Sequence, residues 1–397
     1  MVEQSKYDLS WLLPGVGQER FFNDYWEKKP LHIRSGDPGY FNDFFTLKDM
    51  ESALFSAPVH SKDLAIFHQQ KLRLNNDEFF SGPGQVKASR IYDAYFTRGN
   101  TVCLHHPENN HHSVQALCRQ LSHIFYSQVI SSLFLGPPDS TGLDVHFDYY
   151  NAFILQLSGK KRWRLYDFVS ENPSCDKDRF KLDKTTLGQP VLDVVLEQGD
   201  ILYFPRGMPH EPFCLDSHSL HMTVGVKTHT WADMLHRSID NLRDTNALFR
   251  QSLPPIEVMR RHPGDYQSLL QRMIANMQEL SDIEELITSL EENYYLTRPA
   301  RLDGHLTMAE RIDGLNPDTG LRHRTALTPQ IKETKDHVEI LFEGAKVQGP
   351  LSVSHALKFI AANPGFTLSQ ISEQLTAEAK INLVAKLIQS GLLTVVD

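Results

Sequence analysis

SSLFLGPPDSTGLDVHFDYYNAFILQLSGKKRWRLY, residues 131–166, is the stretch on which the fold turns. Two β-prone runs flank a turn rich in Gly, Pro and Asp, and none of it carries a helical period. The same texture extends from about 128 to 228, through PVLDVVLEQGD (190–200), ILYFP (201–205) and SLHMTVGV (219–226). Short strands divided by turn signals predict an antiparallel sandwich or barrel.

The chemistry sits in the same stretch. His146-Phe147-Asp148 is followed, after the strand ILYFP, by Pro209-His210-Glu211. In a strand, residues i and i+2 project to one face, so His146 and Asp148 are expected to point together into the barrel while Phe147 points away. Two imidazoles and one carboxylate form the facial triad of non-haem Fe(II) oxygenases, which leaves coordination positions open for a chelating cosubstrate and dioxygen. A closed zinc site would need a fourth protein ligand, and none is evident. With nineteen histidines in the chain, an H-x-D pair alone is weak, and its context is what strengthens it. The pair follows the turn LGPPDSTGLDV, and His210 follows Gly199-Asp200 and a strand.

Lys161 is the second clue. Alternation in KKRWRLY sets Lys161, Trp163 and Leu165 on one face and Arg162, Arg164 and Tyr166 on the other. A lysine among bulky apolar side chains is costly unless an anion pairs with it, and the distal carboxylate of a dicarboxylic cosubstrate is such an anion. Lys160 reads as solvated. His105, His106, His111 and His112 in LHHPENNHH form a rival metal candidate, read here as an exposed polar turn. Four separated cysteines (Cys103, Cys118, Cys175, Cys214) offer neither a C-x-x-C pair nor a disulfide framework. Cys103 and Cys214, beside apolar residues, read as small core residues.

Outward from the barrel, 397 residues predict two or three domains. The 41% hydrophobic fraction is that of a globular chain, and a net charge of −9 disfavours general nucleic-acid binding while suiting a basic partner. MVEQSKYDLSWLLPG lacks the regions of a signal peptide, and no apolar run reaches the ~20 residues of a membrane span, so a soluble, cytoplasmic protein is expected. The first 125 residues mix amphipathic helices, such as Glu19–Glu27, with irregular segments. After Trp231 the period is helical: Trp231, Leu235, Ile239 and Leu242 share a face, as do Leu269, Met273, Met277 and Leu280. Ser281 and Glu284 read as a capping box, and LTRPARLDGH (296–305) as a connector. The terminal module is expected to carry helices at Val353–Ala361, Leu368–Leu375 and Ala377–Gln389, in an order like a winged helix. From Ile331 onward it has six lysines, no arginine and seven acidic residues. That lacks the basic stripe of a DNA-reading face, so no direct DNA binding is expected.

With these motifs in hand, the chain resembles the JmjC-domain ribosomal oxygenases, cupin-like Fe(II)- and 2-oxoglutarate-dependent protein hydroxylases. The resemblance rests on residues 131–166, on GQPVLDVVLEQGDILYFPRGMPHE (188–211), on HSLHMTVGV (218–226) and on YWEKKPLHI (25–33). It implies an α+β chain whose JmjC catalytic domain, a double-stranded β-helix (jelly-roll) barrel with an N-terminal elaboration, spans 1–229. A helical dimerisation domain (230–310) and a winged-helix-like domain (311–397) follow. By resemblance His146, Asp148 and His210 match the iron ligands, and Lys161 matches the residue that holds 2-oxoglutarate, the cosubstrate used with O2. Relatives often carry Asn and Tyr where this chain has Ser132 and Phe134, so secondary cosubstrate contacts are expected from Thr223 and Ser132 or from water. The resemblance also implies a homodimer and hydroxylation of an arginine or histidine in a large-subunit ribosomal protein. Hydroxylation of natural-product peptides and lysine demethylation are the alternatives. A cupin-type binding protein with a merely structural triad is the non-enzymatic one.

Overall fold

The computed structural model describes residues 6–68, 76–141, 143–173, 182–280, 282–298, 304–324 and 328–396. Cys175, Ser281 and residues 299–303 of the expected 296–305 connector lie outside these residues. The chain divides into two compact units, the first ending at Thr228 and the second beginning at His229.

Eight strands of the first unit form one antiparallel sheet: β1 (Leu31–Ile33), β2 (Leu64–Phe67), β3 (Thr101–His105), β4 (Gln128–Gly136), β5 (Asn151–Leu165), β6 (Leu192–Leu196), β7 (Ile201–Phe204) and β8 (His210–Lys227). Their order is β1-β7-β5-β8-β4-β3-β2, with β6 paired to the far half of β5. The runs NAFILQLSG and KKRWRL, separate in the sequence pattern, are one 15-residue strand. It can bend because its pairing with β8 slips. Leu220 faces Ser158 but His221 faces Gln156, so β5 carries one extra residue there. The inward parity changes across this bulge, from Ala152 and Ile154 to Trp163 and Leu165, which form one inner cluster with Leu196, Leu202, Phe204 and Met208.

The outer face of the sheet makes the larger core. Phe153, Leu155, Tyr203, Met222 and Val224 pack against Leu12, Phe21, Phe44 and Leu121 of the N-terminal elaboration. One of its helices starts at a full polar cap: Thr46 and Asp49 form a capping box before Leu47–Phe55. The helix expected at Glu19–Glu27 is shorter, Gln18–Asp24.

The second unit contains helices Trp231–Thr245, Ile256–Arg261, Pro263–Leu280 and Ile283–Thr297, then two three-stranded sheets with helices Ser354–Ala362 and Ala377–Gln389. Two expectations need correcting. Asp282 caps Ile283–Thr297 by accepting from the Glu284 amide, because an Asx side chain reaches the second amide beyond itself as readily as a serine reaches the third. The helix expected at Leu368–Leu375 is only the 3₁₀ turn Leu368–Gln370, although its Thr367/Gln370 capping pair is present. Among the described residues no helix is long and apolar enough to cross a membrane.

Gly159 makes the bend possible. Its φ is +66°, and a Cβ there would lie 1.9 Å from the carbonyl oxygen of His218. Gly159→Ala is expected to destabilise the first unit by about 1–3 kcal/mol through this strain. Denaturant unfolding monitored on the barrel tryptophan checks it, and an unchanged midpoint would mean the strand relaxes freely.

Candidate metal centre

His146 does not sit in a regular strand, as its spacing suggested, but in an irregular segment that meets β8 through isolated antiparallel bridges, one of them between His146 and His210. The bridge has both hydrogen bonds: the His146 amide donates to His210 O at 3.2 Å, and the His210 amide donates to His146 O at 2.7 Å. The Gly207 amide donates to Asp148 O at 2.8 Å, tying the third residue to the same turn. One ligand-type atom from each of His146, Asp148 and His210 lies within 4.8 Å of the other two, and all three residues are buried.

Each imidazole is oriented by the backbone two residues upstream. His146 Nδ1–H donates to Asp144 O at 2.7 Å, and His210 Nδ1–H donates to Met208 O at 3.1 Å. Such bonds fix the tautomer and place the coordinating lone pair on Nε2. His210 Nε2 is 3.8 Å from Asp148 Oδ2, and Phe204 packs against the His210 ring at 4.5 Å. This donor set suits a divalent cation, and two neutral nitrogens with one carboxylate match the facial arrangement used by non-haem iron.

The three residues open onto a cavity of about 510 Å³, mouth included. Lys161, Thr101, Trp163, His221 and Thr223 line it together with Phe67 and Phe134. Lys161 is 1% exposed and has no carboxylate within salt-bridge distance among the described residues. Burial pulls its ammonium below the ordinary 10.5, with Cys214 and Cys103 opposing. Burial, and then the Lys161 charge, push His221 well below an ordinary imidazole, so it is neutral. Thr101 Oγ1, Trp163 Nε1 and His221 Nδ1 are buried without hydrogen-bond partners. A basic group and several orphaned polar atoms in one cavity suit an oxygen-rich anion.

Of the expected residues, the cavity gathers His146, Asp148, His210, Lys161 and Thr223. Ser132 is the correction. It does not line the cavity, and its hydroxyl is bonded to His105 Nδ1 at 2.8 Å. Phe134 does line it, stacked on His221 at 5.0 Å. The LHHPENNHH segment is not simply an exposed turn either. His105 ends β3, and a helix begins at His112. Arg162 and Arg164 both pair with Asp193 on the outer face, at 2.7 and 3.3 Å. Tyr166, expected beside them, is instead buried and donates to Glu211 at 3.1 Å, because β5 ends at Leu165. The sequence reading missed His221 and Thr101. His221 shares the alternation of Thr223, which was the available signal. Nothing in TVCLH links Thr101 to residues sixty positions away.

Residues 103–234 match the JmjC domain family. The chain is 30% identical over 261 residues to Ribosomal oxygenase 1 of Danio rerio, covering 62% of this chain and 46% of that protein. It is 30% identical over 241 residues to the bifunctional lysine-specific demethylase and histidyl-hydroxylase NO66 of Drosophila persimilis, covering 59% and 34%. It thus spans less than half of these relatives. Among solved structures it resembles YcfD, a ribosomal oxygenase from Escherichia coli in complex with cobalt and 2-oxoglutarate, with a TM-score of 0.52, 19% identity and coverage of 96% and 98%. That likeness is one of fold.

The burial of Lys161 makes a prediction of definite sign. A lysine depressed on folding destabilises fully below its folded pKa, and the cost is relieved as pH rises toward 10.5. Lys161→Met is expected to stabilise the ligand-free protein by about 1–4 kcal/mol at neutral pH, and by less at about pH 10. Thermal unfolding at the two pH values checks it, and a Lys161→Met protein less stable at both would contradict it.

Proposed function

The chain carries a JmjC domain, and from that premise we propose that it is an Fe(II)- and 2-oxoglutarate-dependent oxygenase that hydroxylates a side chain of a ribosomal protein. One observation carries the reading: His146, Asp148 and His210 face the same cavity as the buried, anion-seeking Lys161. His146, Asp148 and His210 would hold the iron. Lys161 would hold the distal carboxylate of 2-oxoglutarate, with the Thr223 hydroxyl beside it. Bound iron would supply O2 activation coupled to decarboxylation of 2-oxoglutarate. The protein's own part is to orient both imidazoles through backbone carbonyls, to neutralise the cosubstrate and to keep water from the buried wall.

The net charge of −9 would steer a cationic polypeptide to the barrel, an attraction that weakens with salt. The relatives named as ribosomal oxygenases support a ribosomal protein as substrate, and the name histidyl-hydroxylase supports histidine as a target; the large subunit, arginine as the other target and a cytoplasmic setting rest on the family resemblance alone. The relative named as a demethylase supports lysine demethylation as the second reading.

In the second unit, Trp231, Leu235 and Ile239 are exposed, at 78%, 54% and 39%. We read residues 230–310 as a homodimerisation domain and 311–397 as a winged-helix-like contact module that does not read DNA. Sedimentation is expected to give a dimer at micromolar concentration, and a monomer there would contradict this part.

Turnover of 2-oxoglutarate to succinate is expected from the native protein, and His210→Ala should lower it by more than about a hundredfold, beyond the effect of losing an outer partner. Ribosomal proteins from cells with and without the gene are then compared by mass spectrometry. Loss of a single-oxygen increment from one peptide in the deletion strain supports the proposal. Unchanged ribosomal proteins, with oxygen gained by a small peptide, would replace it with the natural-product reading. Methyl groups lost from a lysine would replace it with the demethylase reading.

A further inference from the structure

Glu27 lies far from the cavity in sequence and takes no part in the chemistry above, yet its side chain ends on the turn that carries His210. Its backbone has φ of +53°, a region that residues with side chains enter only when their surroundings hold them there. What holds it is a partly buried network. The Glu27 amide donates to Tyr203 Oη at 2.9 Å, and that hydroxyl donates to Asn151 Oδ1 at 3.2 Å. Glu27 Oε1 accepts from Arg206 Nε at 2.8 Å, from Asn151 Nδ2 at 3.1 Å and from Thr228 Oγ1 at 3.5 Å. One carboxylate oxygen therefore gathers the start of β5, the residue after β8 and the turn between β7 and β8.

The turn leads directly to the triad. Asn151 Oδ1 also accepts from the Arg206 amide at 3.3 Å. The next amide, Gly207, donates to Asp148 O, and the next carbonyl, Met208 O, orients His210. Arg206 is 7% exposed and Asn151 is fully buried. Glu27 is the only carboxylate paired with Arg206 among the described residues. Without Glu27 the guanidinium would be left buried and uncompensated. It would have to turn toward water, and residues 206–208 would turn with it.

We propose that Glu27 is a positioning residue for the metal centre: it clamps Arg206, and so fixes the Met208 carbonyl and Gly207 amide that set His210 and Asp148. The inference rests on the reading of His146, Asp148 and His210 as metal ligands.

The test uses the full-length, metal-stripped protein titrated with Co(II) alone, by equilibrium dialysis and visible absorption, with thermal unfolding measured alongside. Glu27→Ala is expected to weaken Co(II) binding about 10- to 100-fold, the range seen when partners of ligands are lost, and to alter the spectrum of the saturated site. Glu27→Gln keeps an oxygen where Oε1 stands but not its charge, and is expected to bind more tightly than Glu27→Ala and more weakly than the parent. Glu27→Asp keeps the charge but withdraws it by one methylene, and it should bind more weakly than Glu27→Gln. It decides the matter if Glu27→Ala does not fold. Parent-like affinity and spectrum in both Glu27→Ala and Glu27→Asp would reduce Glu27 to a structural staple, whatever the melting temperature. If His210→Ala bound Co(II) as well as the parent, the metal reading itself would fall, and the clamp with it.

Discussion

Two backbone hydrogen bonds between His146 and His210 are the constraint from which the rest of the site follows. They close an irregular segment onto the start of an 18-residue strand, and so bring side chains 64 positions apart in the chain onto one wall. Neither residue needs a regular strand around it on both sides. The carbonyls of Asp144 and Met208 then turn both imidazoles the same way. A metal site assembled like this takes its ligand orientation from backbone groups, and other side chains act on it by holding that backbone. That explains why so much of the molecule is spent on holding the 205–209 turn.

The cavity has two poles. At one, a carboxylate and two imidazoles collect negative and lone-pair density. At the other, Lys161 keeps a cation away from water with no carboxylate to pair with among the described residues. Burial of either pole alone is unfavourable, and such strain persists where a ligand relieves it. A dicarboxylate that chelates a cation at one end and meets Lys161 at the other would relieve both. The neutral His221, stacked on Phe134, lets that wall stay dry without adding a competing charge.

Much of this was legible in the sequence. The alternation of Lys161, Trp163 and Leu165 needs no long-range information, and it held because those residues lie on one side of the bulge near Leu157. Parity carried through the bulge would have sent Lys161 outward from Ile154, and the Gly159 φ gives no sign of itself in a pattern of hydrophobicity. The triad could be read because H-x-D and a later His fall in one β-rich context. Thr101 and the Ser132–His105 bond could not, since strand pairing across β3 and β4 determines them. Glu27 was visible only as the end of the helix expected at Glu19–Glu27 and as part of YWEKKPLHI. Its reach to Arg206, 179 positions on, is a property of the folded chain alone.

The central claim is that the triad and Lys161 are two ends of one cosubstrate site. Anaerobic titration of the Fe(II)-loaded protein with 2-oxoglutarate and with 2-oxobutanoate, which lacks the distal carboxylate, tests it most directly. The account predicts that the native protein prefers 2-oxoglutarate by at least about tenfold, or 1.4 kcal/mol, and that Lys161→Met binds the two alike. Equal binding of both acids by the native protein, or an undiminished preference in Lys161→Met, would contradict it.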